Sequence, residues 1–79
     1  MAEETKVTEQ LTREQATDRL NEIARELREG EDMTVSVGNK DIALSPSDTV
    51  NYSITVVEKQ SRFRGSRETI QIELDWKPK

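Results

Sequence analysis

Two periods of hydrophobic spacing divide the chain. Between Leu11 and Gly30, Ala16, Leu20, Ile23, Ala24 and Leu27 recur at intervals that draw one stripe along a helix. Thr12-Arg13-Glu14-Gln15 has the spacing of a capping box, in which the threonine hydroxyl accepts from the Gln15 amide and the Gln15 side chain reaches back. Leu11 and Ala16 sit where a hydrophobic staple closes, and Gly30 is expected to end the helix in the left-handed conformation. After Glu31-Asp32 the period changes to two. Met33, Val35 and Val37 alternate with polar residues, Gly38-Asn39 forms a two-residue hairpin turn, and Ile42 and Leu44 return the pattern. Setting Val37 against Lys40 brings Val35 opposite Ile42 and Met33 opposite Leu44, so both apolar rows share a face.

Ser45-Pro46-Ser47-Asp48 reads as a turn. A third strand is expected from about Thr49 to Glu58, with Val50, Tyr52, Ile54 and Val56 on one side. The fourth carries the clearest alternation in the chain, Ile70-Gln71-Ile72-Glu73-Leu74-Asp75-Trp76. Centring the intervening loop, residues 59–67, on Phe63 sets Val56 against Ile70, Ile54 against Ile72, Tyr52 against Leu74 and Val50 against Trp76. The predicted fold is α+β: one N-terminal helix packed on one face of a four-stranded antiparallel meander.

Composition narrows the chemistry more than it narrows the fold. Seventy-nine residues suffice for one small domain, and charged residues outnumber apolar ones, 35% to 32%, so the core is small under a charged skin. The chain has no cysteine and no histidine, which excludes disulfides, thiolate or imidazole metal ligation and catalysis by either residue. No apolar run reaches the length of a membrane span or a signal-peptide core; a soluble cytoplasmic protein without a membrane partner is expected. The net charge of -4 is concentrated in the helical half. Glu14, Asp18, Glu22 and Glu26 stand at four-residue intervals and repel one another at low ionic strength, a pattern suited to high salt. Residues 1–10, polar and acidic, read as a disordered tail.

The strongest candidate binding feature is the basic loop. Lys59, Arg62, Arg64 and Arg67 surround the only phenylalanine, Phe63, and arginines for phosphates beside an aromatic for base stacking are the parts of a single-strand nucleic-acid site. The competing and favoured reading is a solvated hairpin tip with Phe63 tucked against the sheet. Trp76 shares parity with Leu74 and Ile72 and reads as core before it reads as an interface anchor. Tyr52 likewise packs its ring. The acidic helical stripe holds cations only diffusely, because hard-cation sites draw oxygens from a converging loop. Asp41 and Asp48 suit turns. With no nucleophile and base pair legible and only three glycines, no catalytic residue, cofactor or metal is assigned and no enzyme is expected. Self-association through the edge of the fourth strand sets a weak homodimer beside a monomer.

The run Thr12-Arg13-Glu14-Gln15-Ala16 with Leu20, Ile23-Ala24, Leu27 and Gly30, followed by Ile70 to Trp76, resembles the amphi-Trp domain family of small archaeal and bacterial proteins. The resemblance covers about Leu11 to Trp76. It implies a small domain common in halophilic archaea and carries over no activity or ligand. Residues 11–77 are accordingly expected to form a single amphi-Trp-like domain. The basic loop departs from the family pattern, so a role for it would be particular to this chain. The expected function is a small non-enzymatic structural or protein-interaction module with an undetermined protein partner. The alternative is weak, salt-sensitive nucleic-acid binding by residues 59–67.

Overall fold

The computed structural model describes residues 2–79, so Met1, first residue of the expected tail, lies outside the described residues. Five elements follow in order: α1 (Arg13–Glu29), β1 (Met33–Val37), β2 (Lys40–Leu44), β3 (Asn51–Lys59) and β4 (Arg67–Asp75). They fall into two units, one running to Pro46 and including Pro78–Lys79, the other Ser47–Lys77.

In the first unit, α1 starts where its capping box directs. The Gln15 amide donates to Thr12 Oγ1 at 3.1 Å and the Thr12 amide to Gln15 Oε1 at 3.0 Å, satisfying two of the donors a helix start leaves open. The other end corrects the expectation. Gly30 has φ -98°, in the extended region, and its amide donates to the Glu26 carbonyl at 3.2 Å. Glycine is needed there for space, since a Cβ at Gly30 would collide with the Asp32 carbonyl oxygen. Helix and hairpin are joined by the Thr34 amide, which donates to Glu26 Oε1 at 3.1 Å.

The β1–β2 hairpin has the register read from the sequence, Met33 with Leu44, Val35 with Ile42 and Val37 with Lys40. Its turn uses Gly38 at φ 62° while Asn39 keeps a negative φ, the pattern of a type II′ turn. Met33, 3% exposed, and Pro46 are the buried residues among those described. Val35, Ile42, Leu44 and Leu27 are half-buried. Most of the α1 stripe is not: no helix residue is buried, and Leu20 and Ile23 are exposed. Residues 2–12 have no regular secondary structure, yet Glu9 pairs with Arg19 at 3.4 Å.

The second unit is the β3–β4 hairpin, paired Tyr52 with Leu74, Ile54 with Ile72 and Val56 with Ile70. The ladder keeps the expected Glu58 with Glu68 rung and runs one rung further toward the tip, taking in Lys59 with Arg67. It stops at Asn51 with Asp75, one step short of a Val50 and Trp76 rung. Opposed like charges cost up to about 1 kcal/mol in a sheet, and at exposed positions solvation reduces that cost, so the backbone bonds carry the ladder past them.

The expected four-stranded meander is replaced by two separate two-stranded sheets, β1-β2 and β3-β4. Residues 45–50 contain no strand. Pro46 lacks an amide donor, and the Ser45 carbonyl accepts from the Lys79 amide at 3.3 Å. Pairing therefore does not run on from β2 into β3.

Candidate functional site

The basic tip is a seven-residue loop, residues 60–66, between β3 and β4. Ser61 organises it, its hydroxyl accepting from the amides of Phe63 at 3.3 Å and Arg64 at 3.1 Å, a side-chain turn that competes well with regular pairing. Gly65 at φ 77° lets the chain turn back. Phe63 is 96% exposed, so it is not tucked against the sheet. Of the five residues singled out, Arg62, Phe63 and Arg64 lie in the turn, whereas Lys59 and Arg67 face each other across the last rung of the ladder. By alternation that rung points away from the face bearing Tyr52, Ile54 and Val56. The tip thus offers two arginines flanking a bare aromatic, with two further cations behind it on one side of the sheet.

The feature that sequence reasoning misassigned is the apolar face of the same hairpin. Tyr52, Ile54 and Val56 of β3 and Ile70 and Ile72 of β4 were expected to be core, yet their exposure runs from 50% at Ile72 to 67% at Ile70. No residue of β3 is even half-buried, and in β4 only Leu74 is. Glu58 and Glu68, opposite each other, close this face at the tip end, and Trp76 and Val50, both half-buried, flank its open end. Alternation shows that these residues share a side; nothing in it says what lies over them.

The first unit holds a cleft of about 550 Å³ bounded by α1 and the β1–β2 hairpin. Three of its five charged groups already have work in the fold: Glu26 accepts from Thr34, Asp41 accepts from Ser36 at 2.8 Å, and Arg19 pairs with Glu9. Its lining is almost wholly exposed, which leaves little of the dry, low-dielectric surface that a catalytic site uses. Among the described residues there is no buried polar or charged side chain and no cluster of acidic residues able to hold a metal ion. No helix of the described residues is long and apolar enough to cross a membrane.

Neither the curated proteins nor the solved structures contain a match to the chain. A family does match, and over the full length: the capped amphipathic helix, the two hairpins and the amphipathic strand leading to Trp76 fall within the span of the Amphi-Trp domain model, residues 1–79, and the chain belongs to that family.

Proposed function

We propose that this protein is a small non-enzymatic structural or protein-interaction module whose working surface is the apolar face of the β3–β4 hairpin. The observation that carries this reading is the exposure of Tyr52, Ile54, Val56, Ile70 and Ile72 on one side of a two-stranded ribbon. A two-stranded hairpin alone is marginally stable in water, and a contiguous apolar patch of this kind marks an interaction site. Capture from native extract with wild type and with Ile54→Lys tests the reading. A protein retained by wild type and lost by the variant is expected; recovery of the same proteins by both would refute it.

The finer architecture predicted from the sequence, four strands in one meander under α1, is a second way of withdrawing the same row from water, within one chain. On either reading the protein works in the cytoplasm, and its acidic helix suits a salt-rich one.

A second activity is supported by the tip. Phe63 at 96% exposure between Arg62 and Arg64 offers a stacking ring beside phosphate-binding groups. Labelled single-stranded RNA titrated at low salt tests it. Binding that weakens with salt and disappears in the Arg62→Ala, Arg64→Ala double variant would support the tip as a nucleic-acid site, and absence of binding would exclude it.

A further inference from the structure

We infer that the apolar face of β3–β4 is covered by the same face of a second copy of this chain, the two hairpins packed sheet to sheet with their tips at opposite ends. The inference deepens the proposed function by naming the occupant of that surface.

Three properties of the face select this partner. The first is its chemistry. The three central rungs, Tyr52 with Leu74, Ile54 with Ile72 and Val56 with Ile70, contain no charge and no polar group except the tyrosine hydroxyl, so the face can meet its own copy without burying an unpaired charge.

The second is shape. The rung nearest the open end pairs tyrosine with leucine, and the rung nearest the tip pairs valine with isoleucine, so the face tapers toward the tip. A two-fold axis through the Ile54 and Ile72 rung, perpendicular to the strands, sets each bulky rung on the partner's slim one. The gap between sheets then stays uniform near the usual ~10 Å. Tips together would set bulky on bulky and slim on slim, leaving a wedge.

The third is charge. Glu58 and Glu68 share the apolar face at the tip end. Tips together would bring four carboxylates into one place on the contact face. Tips apart separate the two carboxylate pairs, setting each at the exposed rim over the partner's Val50 and Trp76 end, one rung beyond Tyr52, and carry each arginine tip toward the partner's Asp75 end.

The area is sufficient for a weak dimer. On the order of 100 Å² is exposed on each of the five side chains, giving about 1,000 Å² for two copies, at the lower edge of specific interfaces.

The chain has no cysteine, so Ser66→Cys supplies a single spin-label position in the exposed tip loop. Sedimentation equilibrium of the full chain, with pulsed dipolar spectroscopy of the labelled protein, tests the arrangement. A concentration-dependent dimer is expected, with labels on the order of 30 Å or more apart, the span of a nine-rung ladder. Ile54→Lys should weaken it at least about a hundredfold by burying a charge on each side. Thr55→Lys on the opposite face should leave it intact. Should Ile54→Lys fail to fold, Ile72→Thr keeps the β-branched shape and should still weaken the dimer about tenfold. A monomer at every concentration, a label separation near ~15 Å, or a dimer indifferent to Ile54→Lys and Ile72→Thr would overturn the inference. A monomeric wild type that still captures a protein lost by Ile54→Lys would overturn this inference alone and leave the proposed function standing.

Discussion

Ile54 and Ile72 stand directly opposite each other in the β3–β4 ladder, and each keeps about half of its surface in water, 54% and 50%. Cross-strand isoleucines of this kind stabilise a sheet mainly when something covers them. At concentrations too low for association, Ile54→Ala should therefore cost less than about 1 kcal/mol, whereas Met33→Ala, at a position only 3% exposed, should cost about 2–5 kcal/mol. Urea unfolding of dilute protein measures both. Equal costs would contradict the exposure difference.

The reciprocal Thr12 and Gln15 bonds make the helix start a separable contribution. Thr12→Ala should lower stability by about 1 kcal/mol, with a matching loss of helical circular dichroism on warming. Thr12→Ser should retain nearly all of it, because the hydroxyl is the group that accepts.

Gly30 and Gly65 should respond differently to substitution. Adding a Cβ at Gly30 meets the Asp32 carbonyl, while at Gly65 it meets nothing within 4 Å and the obstacle is a φ of 77°. Alanine should cost about 1–3 kcal/mol at Gly30 and about 1 kcal/mol at Gly65. Asparagine, which tolerates the left-handed region, should recover most of the loss at Gly65 and none at Gly30. Thermal melts of the four variants decide this.

The acidic row of α1 is not uniform in role. Glu26 accepts from the Thr34 amide, so Glu26→Ala should destabilise the first unit by about 1 kcal/mol. Glu22→Gln removes repulsion between successive turns and should raise stability by a few tenths of a kcal/mol at low salt. That gain should vanish in molar salt, where screening acts over about 3 Å. Paired melts at low and high salt measure the difference.

Legibility in the sequence followed the range of each interaction. The capping box needs four adjacent residues and was readable as written. Both hairpin registers were readable because parity and the position of the turn fix them together: once the turn sets Val56 against Ile70, every other rung follows. What parity cannot convey is the identity of the layer above a face, so Tyr52, Ile54, Val56, Ile70 and Ile72 read as core although they stand exposed. Gly30 was misread for a related reason, since its collision partner, the Asp32 backbone, is set by how the chain enters β1 and not by the helix. The extra tip rung, Lys59 with Arg67, lay within the basic stretch read as loop. Among the candidate tip residues, the cations and Phe63 were readable from composition, while the Ser61 hydroxyl that organises the turn was not, because serine in a loop has many uses.

The central claim is that β3–β4 withdraws its apolar face from water by association. Trp76 is the only tryptophan and flanks the open end of that face half-buried, so its fluorescence reports the event directly. As protein concentration rises from micromolar to millimolar, the emission maximum of wild type should move to shorter wavelength, and Ile54→Lys should hold the dilute-state spectrum throughout. An emission maximum that does not change with concentration in wild type would contradict the account.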